Sequence, residues 1–298
     1  MTHTLRKVYN NLPLQNSIGV YNNSSNANIC YPCFGMEQYT SLFFELNDSA
    51  YLYRSFTQAV LRDSTLINSI LHRFSITQIK PYNERCIPNT SQLEELKSLK
   101  PLAERIIDDA LQEKNADKVL CLLVARDASL FYHSLEVMCH AVIMGYFLGY
   151  NNNDLYQLGM AALVHDIGIV IVSKTLKSVS KADQYKYALT IKRIPLLSAA
   201  LIRKTCFSTP DIINAITAHQ ENHIGTGYPF AKMCREIHPF GMLIHLANDF
   251  DMFLTNKTKR ELKENVASVY EYINKMKNRR YSSIAVNVFN DSLRYYQV

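Results

Sequence analysis

Apolar residues recur at intervals of three and four from Ser91 onward, and this spacing constrains the fold more than any other feature of the chain. The first run is Leu93, Leu96, Leu99 and Leu102, which gives one apolar face to a helix. The pattern predicts helices near 91–113, 117–126, 129–149, 154–165, 183–190, 195–205, 210–221, 239–254, 261–277 and 282–295. We therefore predict that residues 91–298 form an all-α domain.

Residues 1–90 follow a different pattern, beginning with an Asn- and Ser-rich stretch (YNNSSNAN at 21–28) that predicts a mobile start. SLFFEL (41–46) and YLYRSF (51–56) are typical of a strand hairpin, LINSILHRF (66–74) of a helix, and SITQIKPY (75–82) of a returning strand. PYNERCIPNT (81–90) has the composition of a linker. The predicted fold is mainly α, with a helical bundle preceded by a small α+β domain that has a regulatory or sensor role.

The composition excludes several classes of protein. Hydrophobic residues make up 48% of the chain and charged residues 19%, as in globular proteins. The first residues lack the apolar core of a secretory signal, and the longest apolar stretches are too short to span a membrane. Seven dispersed cysteines, including one CxxC pair at Cys30 and Cys33, favour free thiols and a cytoplasmic location. The net charge of +6 could attract an anionic nucleotide, but aromatic residues do not alternate with the basic runs, so we expect no nucleic-acid binding.

Histidines lie on the apolar faces of three predicted helices. His133 and His140 fall in 129–149, His165 in 154–165 with Asp166 after it, and His219 in 210–221. One such histidine is more often a satisfied core residue than a ligand. Several on separate helices, with an adjacent carboxylate, favour a buried site for iron, manganese or zinc. The second ring nitrogen of a ligand needs an acceptor, which Glu221 or Asp127 could supply.

The stretch AHQENHIGTGYPF at 218–230 places a tightly constrained loop directly after the helix that carries His219. Gly225, Gly227 and Pro229 restrict the backbone of this loop, and Tyr228 lies between them. A loop with this much fixed geometry beside a candidate ligand indicates a binding site.

Four motifs, taken in order, resemble the HD-GYP branch of the HD superfamily of metal-dependent phosphohydrolases, whose members are cyclic di-GMP phosphodiesterases. They are RDASLFYHSLEV (126–137), LGMAALVHDIG (158–168), HQENHIGTGYP (219–229) and IHPFGMLIHLANDFDMFLT (237–255). The resemblance covers roughly residues 115–298. It implies metal ligation by His133, His165, Asp166, His219 and Asn248, with Asp166 and His219 also in catalytic roles. It further implies a substrate loop at Gly225, Gly227, Tyr228 and Pro229.

The chain departs from the pattern of the family at several of its functional positions. The lysine after the HD motif is replaced by Ile169, the histidine of a His-Pro pair by Ile194, and the second histidine of the His-His-Glu motif by Gln220. Ile224 and Asn248 replace two aspartates. Asn248 is a neutral and weaker ligand, and His245, one turn before it, is a candidate substitute. These changes favour one metal ion over two, and a site with no metal is the alternative.

Two functions therefore remain open from the sequence. The first is a phosphodiesterase of cyclic di-GMP, or of a related nucleotide, with a degenerate metal site and reduced or lost activity. The second is an inactive HD-GYP module that acts in bacterial signalling as a nucleotide receptor or as a scaffold for other signalling proteins.

Overall fold

The computed structural model describes residues 97–172, 183–254 and 262–293 of the chain. The predicted α+β domain at 1–90 and the Cys30–Cys33 pair lie outside these ranges. So does the linker at 81–90.

The described residues form ten α-helices and a short 3-10 turn, and they contain two isolated β-bridges but no strand. The helices are α1 (Leu99–Gln112), α2 (Lys114–Arg126), α3 (Ala128–Phe147), α4 (Asn152–Leu163), α5 (Gln184–Ile191), α6 (Ile194–Ile202), α7 (Pro210–Ala218), α8 (Pro239–Leu254), α9 (Leu262–Lys275) and α10 (Ser283–Ser292). The 3-10 turn spans Cys234–Glu236, and a further helical segment is described from residue 169 to 172. The predicted helical fold is confirmed for this part of the chain.

Helix α3 is the centre of the bundle. Its residues 137–145 are all buried, so this part of the helix has no face that is left to solvent. It packs against α4, α8, α2 and α10, while α7 packs against α8, α6 and α4. The helices that carry the candidate ligands therefore lie next to one another around one core.

Among the helices that end earlier than the spacing predicts, α4 and α7 each position a candidate ligand at their end. Helix α4 ends at Leu163 instead of residue 165, and α7 ends at Ala218 instead of residue 221. The last carbonyls of a helix have no partner within it. His165 Nδ1 donates to Ala162 O at 2.8 Å, and His219 Nδ1 donates to Ile216 O at 2.7 Å. Each histidine thus donates a hydrogen bond to a carbonyl at the end of its own helix. It lies one or two residues beyond the last helical residue.

The helix starts follow the expected capping chemistry. Thr209 accepts a hydrogen bond from Ile212 N, with Pro210 in the first turn of α7. Asp127 accepts from Ser129 N at the start of α3. Asp127 thus caps a helix, and its predicted role as the partner of a ligand histidine is not confirmed.

Candidate metal centre

The structure brings His133, His165, Asp166, His219 and Asn248 together. His133 comes from α3, His165 and Asp166 from the turn after α4, His219 from the end of α7, and Asn248 from α8. The ring centroids of His133 and His165 are 5.5 Å apart, and those of His165 and His219 are 4.9 Å apart. The donor atoms of His133, His165 and Asp166 all lie within 4.8 Å of one another.

The hydrogen bonds of His165 and His219 fix which nitrogen of each ring carries the hydrogen. A carbonyl oxygen can only accept, so Nδ1 is the donor in both rings, and in the neutral form Nε2 has a lone pair. Both Nε2 atoms are buried and neither has a hydrogen-bond partner. They lie 3.5 Å and 3.2 Å from the two oxygens of Asp166. A carboxylate cannot donate to these lone pairs, so the arrangement favours a cation between the rings and Asp166.

His133 is oriented by a carboxylate that the sequence analysis did not select. Its Nδ1 donates to Asp251 Oδ2 at 2.6 Å, and its Nε2 lies 3.0 Å from Asn248 Oδ1. Burial lowers the pKa of His133, but the hydrogen bond to Asp251 and the charges of Asp251 and Asp166 outweigh it, so the pKa is raised. A histidine that binds a metal through one ring nitrogen usually donates from its other nitrogen to a carboxylate, as His133 does to Asp251.

The electrostatics around Asp166 favour an ionised carboxylate beside a neutral His165 ring. Burial opposes ionisation of Asp166, but His165 and His219 outweigh it and hold its pKa well below the usual range. Burial lowers the pKa of His165, despite the nearby charge of Asp166. A metal needs a deprotonated carboxylate and neutral imidazoles, and Asp166 and His165 are biased toward these forms.

The spacing within three pairs of donor atoms fits ligands of a cation. Ligands that bind an ion at about 2.0 to 2.2 Å lie about 3.0 to 3.6 Å apart when they are adjacent. The separations of 3.0 Å (His133 Nε2 to Asn248 Oδ1), 3.2 Å (His219 Nε2 to Asp166 Oδ1) and 3.5 Å (His165 Nε2 to Asp166 Oδ2) fall in this range. The residues present therefore suit a divalent ion with imidazole and oxygen ligands.

The turn at residues 164–168, which carries His165 and Asp166 and is called the HD turn below, has two buried isoleucines beside it. Ile169 and Ile194 are 1% and 2% exposed. Gly168 holds the turn against α6, because a Cβ at this position would lie 2.6 Å from both Ile194 O and Ser198 N. Gly168 N also donates to Ser198 Oγ at 2.9 Å. Neither isoleucine can ligate a metal, so this side of the turn offers no nitrogen or oxygen donor from these two positions.

The Gly-Tyr-Pro loop is fixed by backbone contacts and by one buried carboxylate. Gly225 has φ +74°, and a Cβ on Gly227 would lie 2.4 Å from Glu221 Cα. Glu221 accepts from Phe230 N at 2.6 Å and from Lys232 N at 3.0 Å. This use of Glu221 corrects its predicted role as the acceptor of a ligand histidine. The acceptors are instead two backbone carbonyls and Asp251.

Tyr228 is the loop side chain whose pKa is affected by the charge of Asp166. Its backbone N donates to Gln220 O at 3.1 Å, and the Tyr228–Pro229 bond is cis. Burial, followed by the negative charge of Asp166, raises the pKa of Tyr228. The loop thus presents a neutral hydroxyl on the side of Asp166.

A second charged cluster, around Asp249, lies next to the candidate ligands and was not predicted. Asp249 accepts from Arg280 Nε at 2.6 Å, from Arg280 Nη2 at 3.1 Å and from Tyr281 OH at 2.7 Å. His245 Nε2 lies 3.4 Å from Asp249 Oδ2, so His245 is directed at this cluster. The suggestion that His245 substitutes as a ligand is therefore not supported by this geometry.

Comparison with known proteins identifies the class of this bundle. The family described as HD domain matches residues 101–283, which is more than half of the chain. The chain belongs to the HD domain family. Within the described ranges, no helix of this HD domain is both long and apolar enough to cross a bilayer.

A curated relative resembles part of the HD domain. Cyclic di-GMP phosphodiesterase PdeB of Borreliella burgdorferi is 28% identical over 147 residues, which are 47% of this chain. The match spans only 37% of that relative's length. Together with the HD domain match, it confirms the predicted resemblance to the HD-GYP family.

The HD domain also resembles a solved structure, Bd1817, an HDG"Y"P protein from Bdellovibrio bacteriovorus. The two are 17% identical with a TM-score of 0.46, and the match covers 84% of this chain and 81% of the other.

Proposed function

We propose that the chain is an HD-GYP-type signalling protein that binds one divalent ion and hydrolyses a cyclic dinucleotide, cyclic di-GMP or a close relative, with reduced turnover. The observation that carries this proposal is the pair of buried Nε2 atoms, of His165 and His219, that face Asp166 without a hydrogen-bond partner. The similarity to a cyclic di-GMP phosphodiesterase supports the substrate class.

The proposed ligands are His133, His165, Asp166, His219 and Asn248, and the ion is iron, manganese or zinc. When bound, such an ion polarises a phosphodiester and lowers the pKa of water so that hydroxide is available. Asp251 holds His133 with Nε2 toward the site, and the carbonyls of Ala162 and Ile216 do the same for His165 and His219. Asp166, between two of the rings, is placed to bind the ion and to orient the attacking water.

The Gly-Tyr-Pro loop is proposed to contact the nucleotide. Tyr228 is kept neutral by burial and by Asp166, so it can donate a hydrogen bond to a phosphate or base. The buried carboxylate of Glu221 keeps the loop in place through two of its backbone amides.

A nucleotide receptor without turnover is the second candidate, favoured by Ile169, Ile194 and Asn248. The first two place apolar side chains beside the HD turn, and the third removes a negative charge. Ile224, Phe230 and Met233 are at least half exposed on the adjoining loop, and such apolar side chains could contact another signalling protein. Cys121, Cys139, Cys206 and Cys234 are not in disulfides, which supports the proposed cytoplasmic location.

Elemental analysis of the freshly purified protein tests the metal site. We expect the bound metal to fall by about one equivalent in His165→Ala/Asp166→Ala. The control is His238→Ala/Asp211→Ala, which removes a His–Asp pair of the same 3.2 Å separation away from the site and should keep the metal.

An assay of cyclic di-GMP binding and hydrolysis then separates the two candidates. Slow hydrolysis that disappears with the metal supports the phosphodiesterase, while binding without hydrolysis supports the receptor. A protein that holds no metal would refute the phosphodiesterase.

A further inference from the structure

A second group of potential metal ligands includes Asp251, the carboxylate that contacts His133 in the candidate metal centre. Glu136 and His140 are one turn apart on α3, and Asp251 faces them from α8. One donor atom from each residue lies within 4.8 Å of the other two. None of the proposed functions uses Glu136 or His140.

The geometry of this group matches what an ion needs. Glu136 Oε2 and His140 Nε2 are 4.0 Å apart, which is longer than a hydrogen bond. Two ligands at about 2.0 to 2.2 Å from one ion lie between about 3.0 and 4.4 Å apart, depending on the angle between them. The pair is already within this span, and the 4.8 Å limit on the whole group leaves only a small contraction for an ion to close.

Burial and charge also favour a cation here. The side chains of His140 and Asp251 are 1% and 5% exposed, and that of Glu136 is 17% exposed, which leaves an approach from solvent. His140 is seated against Phe250, with ring centroids 5.0 Å apart. Two carboxylates beside one imidazole form an oxygen-rich set, of the kind that binds manganese or iron and also accepts zinc.

Asp251 connects this group to the proposed centre because its Oδ2 accepts the hydrogen of His133 Nδ1. We propose that Glu136, His140 and Asp251 form a second, separate site for a divalent transition-metal ion. The site is distinct from a two-ion catalytic centre of the HD type, because Glu136, His140 and Asp251 include none of the residues proposed to bind the first ion.

The experiment uses the full chain with His165→Ala/Asp166→Ala, so that the proposed catalytic ion is removed and only the second site is left. Titration with Mn²⁺ alone, followed by electron paramagnetic resonance of the free ion, should show one remaining equivalent. Adding Glu136→Gln, which keeps the size of the side chain, should remove that equivalent. Adding His238→Gln instead, at the exposed pair with Asp211, should leave it.

Thermal unfolding with and without Mn²⁺ provides a second readout on the same proteins. The ion should raise the melting temperature of the parent variant and of the His238→Gln variant, but not that of Glu136→Gln. No remaining equivalent in a parent variant that is folded by circular dichroism would overturn the proposal. One bound equivalent of Mn²⁺ that persists after Glu136→Gln would also overturn the proposal. Neither result depends on whether the intact protein hydrolyses a nucleotide, so the two proposals can fail separately.

Discussion

Replacing Glu221 by glutamine tests whether one buried carboxylate holds the Gly-Tyr-Pro loop in place. Glu221 is 2% exposed, and its two oxygens accept separately from Phe230 N and Lys232 N. Glutamine keeps one acceptor oxygen and puts an NH₂ group against the other amide. A hydrogen bond to a charged group contributes about 1.5 to 3 kcal/mol, so we expect the loop to be destabilised by about 2 kcal/mol.

Amide hydrogen exchange is the appropriate assay because the loop can open without global unfolding. A loss of about 2 kcal/mol corresponds to about 30-fold faster exchange at Phe230 and Lys232, since about 1.4 kcal/mol is a factor of ten. Glu236→Gln is the matched control. Glu236 also accepts from a loop amide, Met233 N at 2.8 Å, but in an exposed position. Exposed ion and hydrogen-bond contacts are worth less than about 1 kcal/mol. Equal effects of the two substitutions, or no change at Phe230 in Glu221→Gln, would refute the argument.

Three further predictions concern substitutions of Asp251, Asn248 and Asp249 on α8. Asp251→Asn should weaken metal binding by about 10- to 100-fold, because it removes the carboxylate that orients His133. Competition with a chelator measures the affinity for the metal, and an unchanged affinity would contradict the prediction. Asn248→Asp should bind Mn²⁺ more tightly than the natural chain by calorimetry, because it adds a charge 3.0 Å from His133 Nε2, and weaker binding would show that residue 248 is not a ligand. Asp249→Asn should cost about 3 kcal/mol in the free energy of unfolding at pH 7, because it breaks a buried pair with Arg280. Burial raises the pKa of Asp249, but Arg280 and His245 outweigh it and lower the pKa overall. Its contribution is therefore complete above the unfolded pKa of about 3.9 and is lost as the pH falls toward the folded value. Urea unfolding at pH 7 and pH 3 should show the difference between Asp249→Asn and the natural chain shrink in acid, and a constant difference would contradict this assignment.

The positions of the helices were largely predictable, because apolar spacing and capping residues are local properties. The predicted 239–254 matches α8, and the start at Thr209-Pro210 matches α7. The ends of α4 and α7 were not predictable from apolar spacing, since His165 and His219 continue the stripe although the helix has stopped. A histidine at a helix end, where carbonyls lack partners, is the signal that would have found them.

The partners of the candidate ligands were less predictable than the ligands themselves. Asp251 shares a face of α8 with Asn248 by its three-residue spacing, and that spacing was the available signal for its contact with His133. The contact of Asp249 with Arg280 joins residues 31 positions apart. No local pattern encodes it, because it depends on how α8 packs beside the start of α10.

The close approach at Gly168 involves backbone atoms of α6 and does not use the side chain of residue 194. The HD turn touches α6 through Ile194 O and Ser198 N, which are main-chain atoms. Replacing the side chain of residue 194 leaves this contact intact. The chain could therefore gain or lose an imidazole here by a single substitution, with no rearrangement of the bundle. In evolutionary terms, the residue type at position 194 can change while the fold is kept, and Ile194→His is the shortest path back toward the pattern that the resemblance to the family implies.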